Sequence, residues 1–146
     1  METIRAHGKF HAAHRQLDYI GKCAWVHGHT WRGVFVVRAE SFPRDKKLDM
    51  SVDFGALKDI FKALDHKMLV SHRDETFLQS GLFEPEGVVV IPGDNPSVEN
   101  VAHYCLDRAE GVLQALFPGA GVQYHIEVTI QETDNNFFIV DRTVDI

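Results

Sequence analysis

The sequence predicts a single α+β domain in which two strands, two helices and two further strands follow one another along the chain. Stretches near both ends alternate apolar and polar residues, as half-buried strands do. The middle of the chain instead repeats apolar residues every three or four positions, which is typical of amphipathic helices. The chain of 146 residues has the usual length of one domain. Because no repeat or linker divides it, residues 1–146 are expected to share one core.

Two predicted strands open the chain. The first, from Thr3 to His14, carries apolar residues at its even-numbered positions, together with His14 itself. The second, from His29 to Val37, carries its large apolar residues at odd-numbered positions. Alternate residues of a strand point to the same face of a sheet. Each strand is therefore expected to bury one face and expose the other.

The first helix is predicted to begin after Asp53 and to end near His66. Asp53 is a suitable N-cap because its carboxylate can accept a hydrogen bond from the first helical turn. One apolar stripe follows it, made of Phe54, Leu57, Ile60, Phe61 and Leu64. The segment from Ser71 to Asp94 is interpreted as an elaborated loop, in which residues 88–91 have the composition of a small edge strand.

The second helix is predicted to start with Asn95 as N-cap and Pro96 as its first residue. Apolar residues recur at helical spacing as far as Leu116. Pro118 and Gly119 then end the helix, because neither residue favours its continuation.

The last two predicted strands form a hairpin. Apolar and polar residues alternate strictly from Val122 onwards. The polar cluster at residues 134–136 then turns the chain into a strand from Phe137 to Val144. Two strands joined by so short a turn are expected to pair with each other.

The composition narrows the classes of function. Fifteen Lys and Arg residues against 21 Asp and Glu residues give a formal charge of −6, which disfavours general binding to nucleic acid phosphates. The apolar runs are much shorter than the roughly 20 residues of a membrane helix, and the first residues lack the apolar stretch of a signal peptide. A cytoplasmic protein without nucleic acid or membrane partners is therefore expected. The two cysteines, Cys23 and Cys105, are too few for a disulfide framework.

Three histidines are predicted to form a metal site. His27 and His29 are two positions apart, so a strand projects both rings to one face. Like Trp31, they stand at odd-numbered positions, so both rings are expected on the buried face of the strand. His14 shares the parity of the apolar residues of its own strand, which selects it as a third inward-facing imidazole. Three neutral imidazoles with one open position are the arrangement of catalytic zinc, although iron or another divalent metal also suits nitrogen ligands.

Cys23, Asp65 and His66 are candidates for proton transfer. Cys23 lies four residues before His27, close to the predicted metal. A cysteine is often core filler, but a nearby dication favours the thiolate, so Cys23 is a candidate base, nucleophile or fourth metal ligand. Asp65 and His66 are either polar residues at a helix end or an aspartate that orients a proton-transferring imidazole. The residues alone leave both interpretations open.

Glu132 breaks the pattern of its strand. It stands at an even-numbered position, as the apolar residues from Tyr124 to Ile130 do, so it is expected on the buried face of the strand. Burying an unpaired carboxylate is costly. Either the strand ends before Glu132 and the side chain turns to solvent, or a partner with matching donors lies beside it. A ligand with a cyclic amidine edge would be such a partner. Glu99, in contrast, is explained by the dipole of the second helix.

These motifs resemble the 6-pyruvoyl tetrahydropterin synthase and 6-carboxytetrahydropterin synthase family of the tunnelling-fold (T-fold) enzymes. The resemblance spans nearly the whole chain in the family's order. It rests on Phe10-His11-Ala12-Ala13-His14, Cys23 with His27-Gly28-His29, Val52-Asp53-Phe54, Leu64-Asp65-His66, Asn95-Pro96-Ser97-Val98-Glu99-Asn100 and Glu132-Thr133. It implies a four-stranded antiparallel sheet with two helices inserted between strands two and three. It also implies a barrel-forming homohexamer, built from two stacked trimers, with active sites between subunits.

The same resemblance implies a role for each candidate residue. It implies zinc on His14, His27 and His29, a proton-transfer set of Cys23, Asp65 and His66, and a pterin anchor at Glu132. The implied substrate is 7,8-dihydroneopterin triphosphate. In this mechanism zinc binds the hydroxyl oxygens of the substrate side chain, and Cys23 removes a carbon-bound proton.

Two sequence features bear on the product. Cys23 precedes His27 by four residues, which resembles the branch that shortens the side chain to a carboxylate on the route to queuosine and other deazapurines. Residues 132–136 are instead similar to the animal enzymes that eliminate triphosphate and leave a pyruvoyl side chain. The spacing favours a 6-carboxy-5,6,7,8-tetrahydropterin synthase, with the pyruvoyl enzyme and a non-catalytic pterin-binding oligomer as alternatives. A generic zinc hydrolase would leave Glu132 unexplained.

Overall fold

The computed structural model describes all residues from Met1 to Ile146. The strands are β1 (Glu2–His14), β2 (His27–Ala39), β3 (Lys67–Val70), β4 (Val88–Val90), β5 (Gln123–Thr133) and β6 (Asn136–Asp145). The helices are α1 (Phe54–Lys62), α2 (Glu75–Leu78) and α3 (Val98–Leu116). The predicted α+β class is confirmed. None of these helices combines the length and the apolar character that crossing a membrane requires.

All six strands form one sheet, in the order β4-β3-β1-β2-β5-β6. The four long strands pair antiparallel as predicted, and β5 and β6 form the expected hairpin. The prediction of a four-stranded sheet is wrong, because the segment between α1 and α3 adds β3 and β4 in parallel beyond β1. These two strands have four and three residues, which is too short for alternation to reveal them. The small edge strand expected near residues 88–91 is present as β4.

The first helix begins as predicted but ends earlier. Oδ1 of Asp53 accepts a hydrogen bond from the N–H of Gly55 at 2.8 Å, so Asp53 is the N-cap. The helix ends at Lys62 and not near His66. His66 has a left-handed backbone conformation with φ of 58°, through which a right-handed helix does not continue.

The second long helix, α3, begins later than predicted. Its N-cap is Ser97, whose hydroxyl oxygen accepts a hydrogen bond from the N–H of Asn100 at 3.3 Å. Asn95, the predicted cap, instead holds Leu17 in the loop after β1 through two hydrogen bonds, of 2.7 and 3.1 Å. Asn and Ser are both good N-caps, so local preference did not distinguish them. The short helix α2 lies in the segment interpreted as a loop.

Both long helices pack against the same face of the sheet, α1 on β1 and α3 on β5 and β6. Phe61 of α1 lies in this interface, where its ring stacks on Phe10 and Phe35. Gly8 and Gly33 are paired across β1 and β2 beneath this ring, and a Cβ at Gly8 would lie 2.6 Å from it. The glycine pair therefore forms the depression that seats Phe61.

The two faces of the sheet differ in character. The helix-covered face carries the buried even-numbered residues of β1, from Ile4 to His14. The open face carries the exposed odd-numbered residues of the same strand, including His7, Lys9 and His11. The alternation predicted for β1 is therefore confirmed, and each face holds a different part of the candidate site.

Candidate functional site

The three predicted metal ligands meet where β1 ends and β2 begins. His14 lies directly opposite His27 in the antiparallel register, and His29 lies opposite Ala12, so all three side chains project from the helix-covered face. Their ring centroids are 4.6, 5.2 and 4.9 Å apart. One nitrogen of each ring lies within 4.8 Å of the other two. The structure thus assembles a cluster that is able to bind a metal ion.

Two backbone carbonyls determine which ring nitrogens are free. Nδ1 of His14 lies 2.7 Å from the carbonyl oxygen of Pro96, and Nδ1 of His27 lies 2.6 Å from that of Trp25. A carbonyl oxygen only accepts hydrogen bonds, so each Nδ1 carries the proton and each Nε2 keeps its lone pair. Nε2 of His14 and Nε2 of His29 are buried without a hydrogen-bond partner. Such unpartnered imidazole nitrogens fit a divalent metal ion of the zinc type.

Burial keeps the imidazoles in the form that binds metal. The pKa of His14 is lowered to about 4, because burial disfavours the charged ring and the charges of His27 and His29 would repel it, while the hydrogen bond to Pro96 acts in the opposite direction. The pKa of His29 is also lowered, by burial and by the charge of His27. Metal ions bind neutral imidazole. His14 and His29 are therefore ready to receive a cation at neutral pH without first losing a proton.

Glu132 lies at a β-bulge near the end of β5. The pairing of β5 with β6 changes register between Gln131 and Thr133, and a bulge of this kind re-aims a side chain. The strand therefore continues through Glu132 and does not end before it. Oε1 of Glu132 lies 3.4 Å from Nε2 of His14 and 3.8 Å from Nε2 of His29. The carboxylate faces the histidines and not the solvent.

A second carboxylate lies close to Glu132. Burial raises the pKa of Glu132; the charge of His27 lowers this pKa, and the charge of Glu99 raises it further. The sequence explains Glu99 by the helix dipole alone, whereas the structure brings it near enough to Glu132 for the two charges to interact. The two carboxylates make this end of the site suitable for a cation or for a ligand edge rich in N–H donors.

Cys23 lies in the loop that joins β1 to β2, within a single 3₁₀ turn from Lys22 to Ala24. Its side chain is exposed, and its sulfur does not belong to the cluster formed by His14, His27 and His29. Its carbonyl oxygen accepts a hydrogen bond from the N–H of Gln16 at 2.8 Å, which ties the turn to the chain just after His14. The same loop exposes four large apolar side chains, Tyr19, Ile20, Trp25 and Val26.

Asp65 and His66 form a hydrogen-bonded pair against β1. Nδ1 of His66 lies 2.8 Å from Oδ2 of Asp65, and Oδ1 of Asp65 accepts a hydrogen bond from the N–H of His11 at 2.7 Å. The N–H of His66 donates to the carbonyl oxygen of His11, also at 2.7 Å. The hydrogen bond from His11, followed by that from His66, lowers the pKa of Asp65. A charged carboxylate therefore orients the His66 ring, which is 83% exposed.

This pair and the metal cluster lie on opposite faces of the sheet. The ring of His66 lies edge to face with that of His11, and His11 projects from the open face. His14, the candidate metal ligand three positions along the same strand, projects from the helix-covered face. The structure thus brings the three histidines and Glu132 together, whereas Asp65 and His66 are directed elsewhere.

Three residues that position the histidine cluster were not predicted from the sequence to have this role. Trp31 packs edge-on against His14 and His29, and its indole N–H donates to the carbonyl oxygen of Ala12 at 3.1 Å. Pro96 fixes the ring of His14, and Asn95 holds the loop that follows it. One sequence signal was available for Asn95: it and Ser97 are both good N-caps, but only one of them can cap α3.

Comparison with known proteins identifies relatives over most of the chain. Residues 3–143 match the family described as 6-pyruvoyl tetrahydropterin synthase. A protein of Rickettsia conorii named 6-carboxy-5,6,7,8-tetrahydropterin synthase is 28% identical over 138 residues, which cover 88% of this chain and 92% of the relative. A protein of Rickettsia felis with the same name is 27% identical over 135 residues, with the same two coverages.

Solved structures with the same fold are more distant in sequence. The 6-pyruvoyl tetrahydropterin synthase of Plasmodium falciparum is 16% identical, with a TM-score of 0.68 over 98% of both chains. A protein of Wolinella succinogenes is 18% identical, with a TM-score of 0.63 over 95% of this chain and 97% of its own. These likenesses concern the fold, and they confirm the expected T-fold.

Proposed function

The chain belongs to the 6-pyruvoyl tetrahydropterin synthase family, and we propose that it is a zinc-dependent 6-carboxy-5,6,7,8-tetrahydropterin synthase. Its substrate is 7,8-dihydroneopterin triphosphate, and its product leads to queuosine and other deazapurines. The observation that carries this proposal is the convergence of His14, His27 and His29 with the carboxylate of Glu132. Three histidines alone would suit many hydrolases, whereas a carboxylate aimed at the same space provides the partner that a pterin needs.

Two observations favour the carboxy product. The Rickettsia relatives carry the name of the carboxy enzyme. Cys23 also precedes His27 by four residues, the spacing that resembles the carboxy branch. The pyruvoyl enzyme is the alternative, favoured by the similarity of residues 132–136 to the animal enzymes.

The metal would be held by one nitrogen each of His14, His27 and His29. A bound zinc ion supplies Lewis-acid polarisation of the hydroxyl oxygens on the substrate side chain, which acidifies the adjacent carbon-bound proton. The carbonyl oxygens of Pro96 and Trp25 keep two of the rings oriented for this task.

Glu132 orients the pterin. Its carboxylate accepts hydrogen bonds from the 2-amino group and the ring N–H of the substrate, and each charge-assisted bond of this kind contributes roughly 1.5 to 3 kcal/mol. Burial and the charge of Glu99 raise the pKa of Glu132. A ligand edge that donates two N–H groups would stabilise its charged form, so the site favours substrates that carry this edge.

Cys23, Asp65 and His66 transfer protons. Cys23 removes the carbon-bound proton, and His66, oriented by Asp65, carries protons to and from the reacting side chain. The Asp65–His66 pair lies on the open face, away from the metal cluster of its own chain. We therefore assign this pair to the active site of a neighbouring subunit.

Two surface features support an oligomer with shared sites, which we propose to be a homohexamer of two stacked trimers. The outer edge of β6 has no strand beside it, and an exposed edge of ten residues favours pairing with another chain. The loop that carries Cys23 exposes four large apolar side chains. Contiguous apolar surface of this kind is typical of protein contacts.

Incubating zinc-loaded protein with 7,8-dihydroneopterin triphosphate, followed by mass spectrometry of the pterin product, tests the proposal. We expect the 6-carboxy product. The 6-pyruvoyl product would establish the alternative enzyme. Binding without turnover would indicate a non-catalytic pterin-binding oligomer, and a protein that neither binds nor converts the substrate would contradict the pterin assignment.

A further inference from the structure

The distances between Glu132 and two metal-binding nitrogens do not suit hydrogen bonds. Oε1 of Glu132 is 3.4 Å from Nε2 of His14 and 3.8 Å from Nε2 of His29. Both distances exceed the roughly 2.7 to 3.2 Å of an N–H···O hydrogen bond, and both nitrogens are buried without a hydrogen-bond partner. In a tetrahedral site with metal–ligand bonds of about 2.0 to 2.1 Å, two ligand atoms lie about 3.3 to 3.4 Å apart. The 3.4 Å separation between Glu132 and His14 matches that of two ligands of one ion, and the 3.8 Å separation from His29 is about 0.4 Å longer.

The charges of the site favour the same arrangement. Three neutral imidazoles leave the double charge of a divalent ion uncompensated, and one carboxylate would halve it. The ion would in turn offset the cost of burying the Glu132 carboxylate close to Glu99. Cys23, the other candidate for the fourth position, has an exposed thiol, whereas Oε1 of Glu132 lies 3.4 and 3.8 Å from two of the ring nitrogens.

We propose that Glu132 is the fourth ligand of the resting metal ion and that it leaves the metal to bind the pterin edge of the substrate. This inference rests on the proposed pterin chemistry of the site. One carboxylate then has two partners in turn, so a coordination position for the substrate side chain opens only after a pterin has bound. Molecules without an N–H-rich edge would leave the metal closed. The bulge at residues 131–133 is the structural device that aims Glu132 at the metal.

Cobalt substitution tests the ligand directly, without any activity measurement. The visible absorption of Co²⁺ reports its coordination, and competition with a chelator reports zinc affinity. We expect Glu132→Gln to weaken zinc binding by about tenfold or more, since even partners of metal ligands contribute 10- to 100-fold, and to change the cobalt spectrum. Glu127→Gln is the matched control, because Glu127 lies on the same strand but its carboxylate pairs with Arg38, and it should retain the wild-type spectrum.

A titration of wild-type cobalt protein with 7,8-dihydroneopterin tests the displacement without a variant that could misfold. The spectrum should change as the pterin takes Glu132 from the metal. In Glu132→Gln protein the pterin should cause little further change, because the fourth position is already open. A wild-type zinc affinity and cobalt spectrum in folded Glu132→Gln would overturn the inference.

The outcomes separate this inference from the proposed function. If the protein converts 7,8-dihydroneopterin triphosphate but Glu132→Gln leaves the cobalt spectrum unchanged, then Glu132 is a pterin anchor alone and the inference fails. If the spectrum depends on Glu132 and yet no pterin is bound or converted, the ligand assignment stands and the pterin function fails.

Discussion

His11 and His14 lie three positions apart on β1, and the sheet separates them completely. His14 is 1% exposed, its pKa is lowered to about 4, and its Nε2 is aimed at two other imidazoles. His11 is exposed on the open face, where its backbone groups hold the Asp65–His66 pair. The face of the strand, and not the residue type, therefore decides whether a histidine joins the buried three-histidine cluster or contacts the exposed Asp65–His66 pair.

The two faces also differ in how much of their site one chain provides. Antiparallel pairing of β1 and β2 is enough to assemble three metal ligands, because their positions follow from one register. Three hydrogen bonds hold the Asp65–His66 pair, yet the His66 side chain is 83% exposed. The helix-covered face thus carries an assembled three-histidine cluster, and the open face presents a hydrogen-bonded pair whose imidazole is exposed.

The largest expected effect comes from removing a ligand on the helix-covered face. His27→Ala should lose the metal, and turnover with it, because two imidazoles hold zinc far less tightly than three; we expect an affinity at least about 100-fold weaker, since even partners of metal ligands contribute that much. His7→Ala removes a histidine from the open face and should retain about one zinc per chain. Metal analysis of both purified variants checks this. Full zinc content in His27→Ala would show that His27 is not a metal ligand.

Cys23 and Cys105 provide the next contrast, between an exposed thiol in the loop before β2 and a buried thiol in α3. Cys23→Ala should keep zinc and lose at least about 100-fold in turnover, because a positioned general base contributes roughly 10²- to 10⁴-fold. Cys105, whose thiol pKa burial raises, should affect stability alone when replaced by Ala. Single-turnover rates and metal content measured on the same samples separate the two roles. Near-normal turnover of Cys23→Ala would move the base to another residue.

A mixing experiment tests whether the open face serves a neighbouring chain. Cys23→Ala and His66→Ala should each be nearly inactive as pure proteins. If Cys23 and His66 of one site come from different subunits, hybrids formed by unfolding and refolding an equal mixture should regain about a quarter of the wild-type activity, because random assembly in a symmetric ring gives each site both intact residues in that proportion.

Two features keep the mixing result interpretable. Zinc content should be normal in both variants and in the hybrids, so restored activity would not reflect restored metal. Mixing the two folded proteins without unfolding serves as the control for subunit exchange. Hybrids as inactive as their parents would show that Cys23 and His66 act within one chain.

The smallest expected effect is a pH dependence of the metal-free protein that arises on the helix-covered face. The pKa of His14 is about 4 in the folded state, below its ordinary value of 6.5, so between these values the unfolded chain binds more protons and stability falls as the pH falls. From pH 7 to pH 5 we expect a loss of about 2 kcal/mol. Denaturant unfolding with a chelator present measures it, and His14→Gln should remove most of the slope. Asp65 on the open face, whose pKa is lowered, contributes stability that is lost only at more acidic pH.

The alternation along β1 and β2 was sufficient to predict that the three histidines share one face and come together. Side chains alternate along any strand for reasons of local geometry, so His14, His27 and His29 could be assigned to one face before their strands were paired. The same alternation marked Glu132 as anomalous. Cap preferences were sufficient for Asp53 but not for Asn95, because two good caps stood next to each other and only packing chose between them.

The α+β order, the amphipathic faces and the shared face of the three histidines thus follow from the sequence, because each depends on periodicity within single elements. Other features depend on contacts between elements that are far apart in the chain. The strands β3 and β4 form because the edge of β1 is available, and the bulge at Glu132 exists only in the pairing of β5 with β6. The backbone N–H of His66 donates a hydrogen bond to the carbonyl oxygen of His11, more than 50 positions away in the chain, and the N–H of His11 donates to Asp65. Such contacts join distant segments, and no local pattern contains the geometry that they impose.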